Sequence, residues 1–242
     1  MNYYGKTDIG KKRAENQDCF GYKELDGMTL LAVCDGMGGA NGGSIASRLA
    51  LDSFLEICEN DLKKNMTDIQ IRSVLSLAVT EANSSVFKAS KQNKALEGMG
   101  TTLISALITE NGIFIINVGD SRAYTVVSGN FEQVSHDHSY VQLLIDMGNI
   151  TPEEAENHPE KHAITRAVGV GESVKADIDK LESDTPSYIL LCSDGLTGMV
   201  KHNAIKDVLV SSVSLQDKAD KLVDLANENG GEDNITVLIA EL

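Results

Sequence analysis

Five aspartates stand against apolar runs in the same manner. Asp35 ends Leu30-Leu31-Ala32-Val33-Cys34 and is followed by Gly36-Met37-Gly38-Gly39. Asp120 follows Asn117-Val118-Gly119, Asp194 follows Leu190-Leu191-Cys192-Ser193, Asp233 precedes Asn234-Ile235, and Asp18 follows Asn16-Gln17. One such acid is ordinarily a turn residue. Five, each beside an apolar strand, can converge at one end of a sheet, where they repel one another and push some pKa values up. A hard divalent cation with oxygen ligands relieves that repulsion. No histidine accompanies these acids, and Cys34 and Cys192 lie inside apolar runs as buried small side chains, so the set favours Mg²⁺ or Mn²⁺ over Zn²⁺.

The glycine-rich stretch after Asp35 also invites a nucleotide reading, which its spacing rejects. Glycines at 36, 38, 39, 42 and 43 do not give G-x-G-x-x-G, and no Gly-Lys-Ser/Thr is present. Asp35 would moreover set a negative charge where a pyrophosphate approaches a helix N-terminus.

The positioning elements follow from periodicity. The run ending at Asp35 reads as a buried strand, and residues 44–59 as a helix after the glycine loop. Thr67-Asp68-Ile69-Gln70 matches a capping box, and Ile71, Val74, Leu75, Ala78, Ala82 and Val86 continue at helical spacing. Two strands, 102–109 and 113–118, are expected to join across Asn111-Gly112. Strands 123–127 and 131–134 are expected to continue them as an antiparallel meander. Residues 138–147 read as a helix, Thr151-Pro152 opens a short one, and 157–173 read as an irregular excursion. A strand at 188–192, helices at 203–210 and 215–228, and a last strand at 235–240 complete the pattern. Helices and strands come in blocks, which predicts an α+β protein of layered sheets, not alternating βαβ.

Composition sets the outer bounds. The chain has 242 residues with 42% hydrophobic and 24% charged side chains, enough for one large soluble domain. A formal charge of −15 argues against nucleic-acid or anionic-membrane partners. The four cysteines show no C-x-x-C spacing. The first residues carry no signal-peptide core and no apolar run reaches membrane-spanning length, so a cytoplasmic protein is expected.

Taken in order, these pieces resemble the metal-dependent serine/threonine protein phosphatases of type 2C, the PPM family, in their compact bacterial form. The resemblance is carried by Arg13-x-x-Asn16-Gln17-Asp18, Asp35-Gly36-Met37-Gly38-Gly39, Gly98-Met99-Gly100-Thr101-Thr102 and Asn117-Val118-Gly119-Asp120-Ser121-Arg122. It continues through Asp137-His138-Ser139, Ile164-Thr165-Arg166-Ala167-Val168-Gly169, Ser193-Asp194-Gly195-Leu196 and Asp233-Asn234-Ile235-Thr236. Each piece alone is weak, but eight in family order span nearly the whole chain.

The resemblance implies a four-layer α-β-β-α sandwich, two antiparallel sheets flanked by helices, as a single catalytic domain over residues 1–242 with 148–168 as a flap. It implies a binuclear Mn²⁺ or Mg²⁺ centre bridged by Asp35, with the Gly36 carbonyl, Asp194 and Asp233 as further ligands and Asp18 acting through water. Asp120, with Asp194, matches a third, weaker metal position. Arg13 matches the arginine that grips the substrate phosphate, and a guanidinium fork suits phosphate oxygens. The implied reaction is direct attack on phosphoserine or phosphothreonine by a water activated between two cations, without a covalent intermediate. Phosphorylated proteins and a cognate serine/threonine kinase are the implied partners, and a monomer is expected. One departure stands out: Met37 and Ala40 fill places where the family usually carries a histidine, a candidate general acid. His138, His158 and His162 are candidate substitutes. A phosphoprotein-binding adaptor and a phosphatase of small molecules are the competing readings.

Overall fold

The computed structural model describes residues 1–181 and 186–242, with side chains at all of these except 39–41. Strands β1 (Asn2–Asp8), β2 (Asp18–Leu25) and β3 (Met28–Met37) precede helices α1 (Gly39–Asp61) and α2 (Asp68–Gln92). Strands β4 (Gly100–Thr101), β5 (Leu103–Thr109), β6 (Gly112–Val118), β7 (Arg122–Val127) and β8 (Asn130–Gln133) follow, then α3 (Tyr140–Asp146) and α4 (Pro152–Glu156). The chain ends with β9 (Asp177–Lys180), β10 (Tyr188–Cys192), α5 (Asp194–Thr197), α6 (His202–Leu209), α7 (Leu215–Glu228) and β11 (Ile235–Glu241).

The strands form two antiparallel sheets. One runs β1-β11-β10-β7-β8 and the other β2-β3-β5-β6-β9, with β4 on the end of β3. Three apolar layers explain the stacking. Leu30, Ala32 and Cys34 of β3 pack toward α1 and α2, with Phe54, Leu75 and Val79 among their partners. The alternate residues Leu31 and Val33 face the other way, against Ile189, Leu191 and Leu238 of the second sheet. Leu190 and Cys192 of β10 pack outward with Leu222 and Val223 of α7. Continuous apolar strands buried on both faces are what a sandwich with helices outside requires. The expected α-β-β-α architecture is therefore present.

Local signals account for most boundaries. Thr67 and Gln70 form the expected capping box of α2. Ser128 and Gly129, with φ of 50° and 80°, form the two-residue turn between β7 and β8. Three expectations need correction. The turn between β5 and β6 is Glu110-Asn111, because Thr109 pairs with Gly112. The strands at 102–134 are not one meander: β5 and β6 belong to one sheet and β7 and β8 to the other, and the chain changes sheets at Gly119-Asp120-Ser121. Helix α1 starts at Gly39, not at 44. Its glycines permit close packing: a Cβ on Gly43 would lie 2.5 Å from the Gln17 side chain, and one on Gly36 would lie 2.1 Å from the Gly43 carbonyl oxygen.

Candidate active site

The layer between the sheets ends where β3, β10 and β11 meet their loops, and the five aspartates are delivered there. Asp18 and Asp35 are direct partners in the β2–β3 ladder, so both leave the sheet on the side of Leu31 and Val33. Asp194 is the first residue of α5, one residue after Ser193 leaves β10. Asp233 lies two residues before β11, and Asp120 lies in the segment that changes sheets.

Backbone and side-chain hydrogen bonds hold these positions. The Asp35 N–H donates to Thr102 Oγ1 at 2.9 Å, and the Asp35 carbonyl accepts from the Thr102 N–H and from Thr101 Oγ1, each at 2.9 Å. Ser193 Oγ, from the opposite sheet, donates to Asp18 Oδ2 at 2.7 Å. Asn234 is a clamp: its Oδ1 accepts from the Gln17 N–H, and its Nδ2 donates to the carbonyls of Ile9 and Glu15. The loop that carries Arg13 and leads into Asp18 at the start of β2 is thereby tied to the start of β11. Motif matching names Thr101, Thr102, Ser193 and Asn234 as pieces but gives them no role, since their contacts link segments remote in sequence.

The electrostatics are those of crowded acids. Burial pushes Asp35 well above the usual carboxylate range, and the charges of Asp18, Asp194, Asp120 and Asp233 push it further. Burial raises Asp18 to about 6, with hydrogen bonds from Ser193 and Thr236 opposing. Burial, then the charge of Asp194, raises Asp120 to about 7. Asp18 Oδ1 and Asp194 Oδ1 are buried with no hydrogen-bond partner, a costly condition for a carboxylate unless a cation answers it. The acids converge yet stand apart: among the described residues, no three His, Cys, Asp or Glu side chains are clustered closely enough to hold an ion as they are. Mutual repulsion favours that spread, and Arg13 takes Asp233 Oδ2 at 2.6 Å. The donor set of carboxylates and the Gly36 carbonyl fits Mg²⁺ or Mn²⁺ in chemistry.

The three histidines separate clearly. His138 is buried, its Nδ1 accepts from the Gly119 N–H, and its Nε2 lies 3.0 Å from Asp177 Oδ2. A ring held on both nitrogens is a strut between the sheet-changing segment and β9, with Arg166 also on Asp177 at 2.9 Å. His158 Nδ1 accepts from the Glu160 N–H, and its ring lies against Tyr140. His162, in the expected flap, places Nδ1 3.6 Å from Asp194 Oδ2. Its interaction with Asp194, followed by the charges of Asp194 and Asp120, outweighs desolvation and raises its pKa.

Comparison with known proteins gives the family. The family profile described as Protein phosphatase 2C matches residues 7–236. The chain is 38% identical over 237 residues to the serine/threonine phosphatase stp of Listeria welshimeri, covering 98% of this chain and 94% of that protein. It is 37% identical over 242 residues to protein phosphatase PhpP of Streptococcus pneumoniae, covering 98% and 95%. Among solved structures, serine/threonine phosphatase Stp1 of Staphylococcus aureus superposes with a TM-score of 0.91 at 37% identity, covering 99% of this chain and 94% of that one. The Mycobacterium tuberculosis phosphatase PstP/Ppp superposes with a TM-score of 0.90 at 35% identity, covering 100% and 98%. The chain belongs to the protein phosphatase 2C family and is a serine/threonine protein phosphatase.

Proposed function

We propose that the converging acids hold a pair of Mg²⁺ or Mn²⁺ ions with which the protein hydrolyses phosphoserine and phosphothreonine by direct attack of water. The observation that carries this is the pair of orphaned buried oxygens, Asp18 Oδ1 at the start of β2 and Asp194 Oδ1 at the start of α5, just after β10 of the other sheet. In this reading Asp35, the Gly36 carbonyl, Asp194 and Asp233 hold the pair, Asp18 acts through water, and Asp120 with Asp194 holds a third, weaker ion. When bound, the ions supply the Lewis-acid charge that lowers the pKa of an attacking water, so no phosphoenzyme forms.

The protein's own groups do the rest. Arg13 leaves Asp233 to take two phosphate oxygens in a fork, which orients the ester and offsets transition-state charge. Thr101 and Thr102 fix the Asp35 backbone, and Ser193 fixes Asp18, so the ligands are set before substrate arrives. Residues 1–242 act as one catalytic domain with 148–168 as the flap. Its partners are phosphorylated proteins, including those of a cognate serine/threonine kinase.

The test is turnover of a phosphothreonine peptide and of a sugar phosphate, each with Mn²⁺, with Mg²⁺ and after exhaustive chelation. Peptide turnover that needs the metal, and exceeds sugar phosphate turnover, is the expected result. Full peptide turnover after chelation would refute the metal assignment, and preference for the sugar phosphate would refute the substrate.

A further inference from the structure

The residues next to the site acids in the β2–β3 ladder are a pair of thiols. Cys19 and Cys34 are direct register partners, one position along from Asp18 and Asp35. Alternation puts them on the opposite face of the sheet, in the layer under α1 and α2. Both are buried and free. Antiparallel partners have Cα atoms about 4.5 or 5.5 Å apart, inside the roughly 4.4–6.8 Å range of a disulfide. Access comes from the α1 side. Cys19 lines a cavity of ≈ 420 Å³ together with Asn16, Asp18, Ser47, Arg48 and Ile45, of which Arg48 and Ile45 are exposed.

We propose that Cys19 and Cys34 form a peroxide-oxidisable dithiol whose disulfide turns the adjoining site off. Cys19, which lines the cavity, attacks one oxygen of hydrogen peroxide through its Sγ. The O–O bond breaks, one water leaves, and Cys19 becomes a sulfenic acid. Cys34 Sγ then attacks that sulfur, the S–S bond forms, and a second water leaves. Two thiols lose two electrons and two protons, and peroxide is reduced to two waters. The bond draws paired Cβ atoms from about 4.5–5.5 Å to about 3.8 Å. A shift on the order of 1 Å is thus imposed on the strands that carry Asp18 and Asp35, and misplacement of that size costs about a hundredfold in rate. The loss of turnover rests on the metal-phosphatase reading above; the disulfide itself does not.

Magnesium-loaded protein is treated with hydrogen peroxide, quenched with catalase and divided. One part is alkylated, digested and mapped by mass, and the other is assayed on a phosphothreonine peptide. Free thiols should fall from four to two, with the Cys19 and Cys34 peptides joined. Turnover should fall about a hundredfold, and dithiothreitol should restore both. Cys34→Ala should form no cross-link and keep its turnover, while Cys58→Ala should respond like the parent protein. Cys19→Ser gives the same comparison if Cys34→Ala does not fold. Four persisting thiols, a different pairing, an equal loss of turnover in Cys34→Ala, or a cross-link that leaves turnover unchanged would overturn the proposal. Absence of turnover before any peroxide would instead count against the functional reading, and the peptide map would still decide the thiol pair.

Discussion

At the scale of single residues, Arg13 and the raised acids carry the account. Arg13 is half-exposed and paired with Asp233, so its role is seen against substrate, not in the fold. Arg13→Ala should raise KM for a phosphopeptide and lower kcat/KM by roughly ten- to a hundredfold, since a charge-assisted contact is worth about 1.5–3 kcal/mol. Calorimetry should show metal binding retained or tightened, because Asp233 loses a competing cation. An unchanged kcat/KM would remove Arg13 from the site. The acids make a second prediction. Asp18 and Asp120 have folded pKa values of about 6 and about 7 against 3.8 ordinarily. A carboxyl raised on folding binds more protons folded than unfolded, so its stabilisation is full below 3.8 and lost as pH rises through the folded value. The melting temperature of the metal-free protein should therefore fall between pH 4 and about 7, and Mg²⁺ should restore it more at pH 7 than at pH 5. A metal-free melting temperature that rises over that window would contradict the crowding of these acids. The acids were legible in the sequence because each stands beside an apolar strand. The fixed state of His138 was not, since its partners Gly119 and Asp177 lie 19 and 39 residues away.

At the scale of elements, the site depends on segments distant in sequence being tied together. Asn234 does this for the loop between β1 and β2, through Gln17, Ile9 and Glu15. Asn234→Ala leaves those backbone groups without their partner, which should cost about 1–3 kcal/mol of stability. It should also lower kcat/KM, because Arg13 lies in that loop and Asp18 directly follows it at the start of β2. A melting temperature and kcat/KM equal to the parent's would show that the clamp is idle. Helices α2, α6 and α7 and strands β3, β5 and β10 were legible from period and capping, since each buries a regular face. The sheet membership of β7 was not legible. A strand's alternation tells which residues face a core but not which sheet it joins, and the Gly119–Ser121 crossing resembles any tight turn. The early start of α1 was hidden because Gly42 and Gly43 read as loop, while their bare backbones serve close packing against Met99 and Gln17.

At the scale of the molecule, two sheets bring to one edge acids that neither could assemble alone. Asp18 and Asp35 come from one sheet, Asp194 and Asp233 from the ends of β10 and β11 in the other, and Asp120 from the crossing between them. The four-layer frame was legible only through the family resemblance, because composition and periodicity stop at an α+β layered protein. The chain's −15 charge and the orphaned oxygens of Asp18 and Asp194 make cation binding the property on which everything else rests. Calorimetric titration of Mn²⁺ into the parent protein, Asp120→Ala and Asp194→Ala, with melting temperatures to confirm folding, tests it most directly. Two tight ions in the parent and in Asp120→Ala, with the tight pair lost in folded Asp194→Ala, is the predicted result. An undiminished tight pair in Asp194→Ala, or its loss in folded Asp120→Ala, would contradict the account.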